Sequence, residues 1–277
     1  MNDHQAIEVA DLRAVLGELL SLWENGPDQA KTPRGRPYTE ARVKAVTALA
    51  AHTHRLGSAV ALMIDHGFAL ETAPTVRSVL EHGLTTQWIM QYGDDAMYGF
   101  VNEAQRQRKA AGATLSKLVE AMKLDEARAV ADALGQETLG PKSAADDAAR
   151  SMQKLSDDFT GGQAYYFMYR TLSQFIHPGP MIAEAYIDSH DLPQIRLTPH
   201  PIRRPMNWLY VTCTGVLWAA RAADILNKEH PHREILRRHA RRLGVPLELK
   251  LSEVAWLRRE QATMTRARRA HDGQDGT

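Results

Sequence analysis

The chain has a single cysteine, Cys213. An intrachain disulfide and a thiolate-built metal cluster are therefore excluded, and Cys213, within Trp208-Leu-Tyr-Val-Thr-Cys-Thr-Gly-Val-Leu-Trp218, reads as a small buried hydrophobe. The start, Met-Asn-Asp-His-Gln-Ala-Ile-Glu, lacks the basic opening and apolar run of a secretory leader. No stretch approaches the roughly 20 apolar residues of a membrane span, so no membrane association is expected and a reducing cytoplasm is the expected address. Charge of one sign is lacking as well: Lys and Arg number 34 against 33 Asp and Glu, a net +1. No global field draws the molecule onto nucleic acid, and any such binding must come from a local patch. A Gly-rich phosphate loop, a Ser nucleophile elbow and internal repeats are all missing, so the common nucleotide-cofactor chemistries fall away and no cofactor is expected. Histidines His52, His54, His66 and His82 are present. His52 and His54 are two apart on a helix and diverge, however, and no E-x-x-H pair marks a di-iron bundle, so no metal site is expected.

What the chain does have is helical periodicity. With 277 residues, 44% of them hydrophobic, it is long enough for one large domain with extensions. Apolar residues recur at helical spacing nearly everywhere, and strand-like alternation barely occurs outside Gln194-Ile-Arg-Leu-Thr198. The expected fold is all-α. A first helix covers Ala6 to Glu24 and a polar loop runs from Gly26 to Pro37; further helices cover Tyr38 to Asp65, Pro74 to Gly93, Asp94 to Lys123, Asp125 to Gly135 and Ala144 to Asp157. Another covers Gly162 to His177, stopped by Pro178-Gly-Pro180, and a long helix begins at Pro205. The expected organisation is an N-terminal helix and loop over residues 1–37, a helical-bundle core over 38–230, and a basic helical extension over 231–277 ending in a disordered tail from His271.

Two constellations carry candidate chemistry. Along Gly162 to His177, the residues Gln163, Tyr166, Arg170, Ser173 and His177 form a polar stripe, opposite Tyr165, Met168, Leu172, Phe175 and Ile176. At about 100° per residue, seven steps fall about 20° short of two turns, which puts Arg170 and His177 on one face of a continuous helix. A solvated face is ordinarily Lys and Glu; a line of Gln, Tyr, Arg, Ser and His suggests a polar site. The second constellation is Arg77 and Glu81, spaced i, i+4 so that the side chains meet, and flanking Leu80, Leu84 and Trp88. Such a pair is expected to be partly buried, either fixing helix register or reaching across the bundle to orient His177 or bind substrate.

Tyr169-Arg-Thr-Leu-Ser-Gln-Phe-Ile-His-Pro178, preceded far upstream by Arg77-Ser-Val-Leu-Glu81, resembles a family of bacterial helical proteins of unknown function with an R-x-x-x-E helix and a later Y-R-x-L-S-x-x-x-H-P helix. The same Arg and His resemble the motif of the HEPN superfamily of α-helical bundles, many of them metal-independent ribonucleases of toxin–antitoxin and defence systems. The likeness covers about Thr39 to Glu229 in outline and these two helices in detail. It implies an antiparallel HEPN-like bundle with extra N- and C-terminal helices, Arg170 as the motif Arg, His177 as the motif His, and a homodimer with two facing motifs. The spacing is loose, since Arg77/His82, Arg233/His239 and Arg266/His271 also satisfy it.

The implied chemistry suits those residue types. RNA carries its own nucleophile, the ribose 2′-OH, so catalysis needs a base for that proton, an acid for the 5′ oxygen and a cation for the phosphate. The imidazole of His177 is the group most often used as general acid or base, and the planar fork of Arg170 can donate two hydrogen bonds to a phosphate. Tyr166 and Ser173, one turn away, would orient a phosphate oxygen or the imidazole. The bland alternative is that Arg170 and His177 bond carboxylates such as Asp157 or Glu81 in an interior network, leaving a non-catalytic bundle that binds a protein or nucleic-acid partner. A regulatory protein partner is compatible with either reading.

From Arg233 to Arg269 the chain carries Arg233, Arg237, Arg238, Arg241, Arg242, Lys250, Arg258, Arg259, Arg266, Arg268 and Arg269 against Glu234, Glu248, Glu253 and Glu260. This segment reads as a solvated helix face or, given its excess of Arg over Lys, an RNA-binding arm. For the dimer, Asp94 to Lys123 or the helix after Pro205 is expected to supply apolar contact area.

Overall fold

The computed structural model describes residues 8–24, 38–123, 125–136, 138–188, 194–200, 206–227 and 229–272. Among them the helices are α1 (Val9–Glu24), α2 (Glu40–Asp65), α3 (Ala73–Tyr92), α4 (Asp94–Met122), α5 (Arg128–Gly135), α6 (Met152–Asp157), α7 (Gly162–Ser173), α8 (Pro180–Glu184), α9 (Met206–Leu226), α10 (Arg233–Leu243) and α11 (Glu253–Asp272). Two strands of two residues each, β1 (Ile187–Asp188) and β2 (Gln194–Ile195), pair antiparallel, with Ile187 opposite Ile195. The protein is helical as expected, and the second strand begins at Gln194, where the sequence alternates. The expected loop from Gly26 to Pro37, the start at Pro205 and the tail beyond Asp272 lie outside the described residues.

The chain forms two units, one containing residues up to Gln91 and Gly161–Lys250, the other Tyr92–Thr160 and Leu251 onward. In the first, α1, α2 and α10 all pack on α9. Helix α1 buries Leu12, Val15, Leu16 and Leu19, a 3–4 spacing that places them on one stripe, and these meet Leu209, Cys213, Val216, Leu217 and Leu236 in a single core. Helix α2 opens on Thr39, whose hydroxyl accepts the Arg42 N–H at 3.3 Å, with Glu40 in the positive first turn. Where α3 meets α9, glycines face each other: a Cβ on Gly83 would lie 2.6 Å from the Gly215 carbonyl oxygen, and one on Gly215 2.7 Å from that of Val79. Backbone rather than flexible side chain stands in the way, so both positions admit hydrogen alone.

The stretch Trp208–Leu226 is long and apolar enough to cross a membrane, contrary to the expectation that no segment approaches that length. Most of it is buried as the central helix of the first unit. Of the two helices expected to supply dimer contact, α4 exposes Tyr98, Leu118 and Met122.

In the second unit α4 packs along α5, and α11 is tied in by ion pairs from Arg258 to Asp158 at 2.5 Å and from Arg266 to Asp95 at 2.8 Å. The expected helix over Ala144 to Asp157 is broken here. Asp146 spends its carboxylate on the Ser143 N–H and the Asn102 amide, and Ser151, with extended backbone, caps a fresh helix through the Lys154 N–H. Short polar side chains that bond nearby backbone compete with continuation of a helix.

His54 of α2 is 3% exposed, stacked on Trp23 at 4.6 Å, with Nδ1 on the Ala50 carbonyl at 2.7 Å. Burial holds its pKa down at about 4, opposed by the Ala50 bond. Between the ordinary value near 6.5 and about 4, the unfolded chain takes up a proton that the fold refuses, so stability is full above that window and falls as pH drops through it. The cost is about 3 kcal/mol if the whole shift is realised. Burial moves His82 and His239 the same way. Urea midpoints between pH 7 and 4.5 should decline, and less steeply for His54→Gln; equal slopes would refute the assignment.

Candidate functional site

Helix α7 begins at Gly162 behind Gly161, whose φ of +74° is left-handed and suited to glycine. Leu172 is the buried anchor of the helix, and aromatic edges brace it against α9: Tyr165 meets Trp218 at 5.1 Å, and beyond the helix end Phe175 meets Trp208 at 5.3 Å. The helix stops four residues before the expected end. The N–H groups of Gln174, Phe175 and Ile176 bond the carbonyls of Thr171, Leu172 and Ser173, three residues back, which tightens the last turn. His177, restricted by Pro178, then leaves the helix. Arg170 and His177 therefore do not share the face of one continuous helix.

Both are exposed. Among the described residues neither side chain has a hydrogen-bond or ion-pair partner, and Glu81, one of the carboxylates expected to bond them, pairs with Arg77 instead. Tyr166 and Ser173 are half-buried; the Ser173 hydroxyl donates to the Tyr169 carbonyl at 2.8 Å, a local bond that leaves its lone pairs free.

The side chains the fold does bring together are Arg77, Glu81 and Tyr169. Arg77 Nε donates to Glu81 Oε1 at 3.0 Å, and Arg77 Nη2 donates to the Tyr169 hydroxyl on α7. The guanidinium carbon also lies 4.3 Å from the Tyr169 ring centroid, a cation–π contact, and Tyr166 stacks on Tyr169 at 6.0 Å. The ion pair is 22% and 28% exposed, partly buried as its apolar neighbours suggested. Arg77 thus reaches across to α7, but to Tyr169 and not to His177. Tyr169 stood in the motif without a role. Its signal was the spacing, one turn beyond Tyr166 and outside the apolar stripe. Because Arg77 keeps the Tyr169 bond and some solvent, Glu81→Ala should cost about 1–3 kcal/mol, less than breaking a fully buried pair, read as a lower urea midpoint; an unchanged midpoint with altered activity would place Glu81 in the site itself.

Beside this cluster His52 and His82 meet edge-on at 5.0 Å, with His82 Nδ1 on the Ser78 carbonyl at 2.6 Å. The His82 pKa is lowered first by burial and further by His52, against the Ser78 bond and Glu81. No group of three His, Cys, Asp or Glu among the described residues is placed to hold a metal ion.

The basic C-terminal segment lies in both units, α10 in the first and α11 in the second, and much of its charge is locally matched. Arg237 pairs with Glu234, Arg238 with Glu18, and Arg242 with Asp11; in the second unit Arg258, Arg259 and Arg266 pair with Asp158, Glu260 and Asp95.

Fold and cluster together define a helical protein in which an R-x-x-x-E helix clasps the Tyr of a Y-R-x-L-S helix. A family model described as "Family of unknown function (DUF5677)" matches residues 43–195, more than half the chain, and the chain belongs to that family. No curated protein and no solved structure matches it.

Proposed function

We propose that the protein is a metal-independent endoribonuclease, related in mechanism to the HEPN superfamily, with Arg170 binding the scissile phosphate and His177 acting as acid or base. The observation that carries this reading is the exposure of both groups, unpartnered among the described residues, on and just beyond a helix whose other side is braced by Arg77–Tyr169 and Tyr165–Trp218. A base removes the 2′-OH proton, the oxygen attacks phosphorus, and the 5′ oxygen leaves with a proton, giving a 2′,3′-cyclic phosphate and a 5′-OH. One imidazole does not readily perform both transfers at once, so a symmetric homodimer joins two motifs into one composite site.

The test is incubation of the purified protein with mixed RNAs in EDTA, with light scattering for mass. Arg170→Ala and His177→Ala subunits, each inactive alone, should recover partial cleavage on mixing if two chains share one phosphate. A monomer whose cleavage is first-order in protein would eliminate the composite site. RNA bound but never cut would favour a non-catalytic binding bundle.

A further inference from the structure

The outward edge of α7 is defined by exposure more than by polarity. Gln163, Phe167, Arg170 and the capping Gln174 are exposed, and at about 100° per residue they fall within an arc of about 60°. Phe167 is 71% exposed. A lone surface Phe is ordinary, but this one differs from its neighbours in two respects. Tyr165, Tyr166 and Phe175 are each engaged with another ring, at Trp218, Tyr169 and Trp208, whereas Phe167 has no ring contact among the described residues. It also stands one turn from Arg170, at the i, i+3 spacing that makes side chains neighbours. Between Asp158 and Glu184 the sequence holds no carboxylate, and Arg170 is its one Lys or Arg.

Resting on the ribonuclease reading above, we propose that this edge selects unpaired RNA: Phe167 stacks a base exposed on a single strand while Arg170 holds an adjoining phosphate. A free aromatic face beside a cation is the combination by which proteins hold single strands, and a base inside a duplex has no face to offer it. Gln163 and Gln174 flank the platform with amide donors and acceptors for a base edge.

The experiment uses the full chain carrying His177→Ala, so that the probe stays intact. The probe is a labelled mixed-sequence RNA without self-complementarity, alone or annealed to its complement, followed by fluorescence anisotropy. Phe167→Ala should weaken binding of the single strand roughly 5- to 150-fold, the range for loss of one base stack, and leave the duplex unaffected. Phe167→Trp should keep the affinity and Phe167→Leu should not, while Arg170→Ala should lower the salt slope by about 0.7, one phosphate. Circular dichroism of each variant controls for folding, which an exposed position should not disturb. Binding that depends on Arg170 but not on Phe167, equal losses on strand and duplex, or full rescue by Leu would overturn the stacking platform and leave the ribonuclease reading standing. Failure of every form, including the Phe167 parent, to bind RNA would overturn both.

Discussion

His177→Ala should lower metal-independent RNA cleavage by about 10² to 10⁴, the rate that a positioned acid or base supplies, while the unfolding midpoint stays within about 0.5 kcal/mol of wild type. The two halves of this expectation rest on the same fact. His177 is exposed beyond the end of α7 and carries none of the core, so its removal opens no cavity. Arg170→Lys is the companion variant. It keeps the charge but loses the planar fork, and should fall between wild type and Arg170→Ala if two hydrogen bonds grip the phosphate. Cleavage in EDTA at the wild-type rate by His177→Ala would remove this residue from the chemistry.

The helical class and most helix positions were legible because burial on one face imposes a 3.6-residue period that α1 and α9 display plainly. Where the reading departs from the structure, local bonds outweighed that period. Ser151 and Asp146 break what Ala144 to Asp157 would otherwise continue. The i−3 bonds at Gln174 to Ile176 end α7 early, which undoes an argument that depended on seven uninterrupted helical steps. The Arg77–Glu81 pair followed directly from spacing, since i, i+4 partners meet within one helix. Its partner Tyr169 did not, because a contact across 92 residues leaves no periodic trace. The same limit applies to the arginine-rich C-terminal segment: composition revealed its charge, but not that Glu18, Asp11, Asp158 and Asp95, distant in sequence, neutralise much of it.

Arg221→Met should destabilise the protein by about 3–5 kcal/mol, a large part of the roughly 5–15 kcal/mol that holds a typical domain together. Arg221 on α9 and Asp224 are 5% and 1% exposed and bonded at 2.6 Å; the guanidinium also donates to Glu248, itself 40% exposed, at 2.8 and 2.5 Å. Removal of the cation leaves the Asp224 carboxylate buried, and among the described residues its one remaining partner is the His232 N–H, which donates to its other oxygen at 2.9 Å. The order of effects should be Arg221→Met first, then Asp224→Asn, which keeps Arg221 paired to Glu248, and Glu248→Gln last because that carboxylate reaches water. Replacing Arg221 and Asp224 together by Met and Leu should recover part of the loss, since no unpaired charge is then buried. The network also bears on α7. Glu248 lies in the segment after α10 that receives the Trp218 indole N–H at the Pro246 carbonyl, 2.9 Å, and gives the Leu249 N–H to Gln87, 3.2 Å. Trp218 in turn is the surface on which Tyr165 rests. Urea denaturation followed by tryptophan fluorescence measures the series, and an Arg221→Met midpoint within about 0.5 kcal/mol of wild type would show that the buried carboxylate finds another partner.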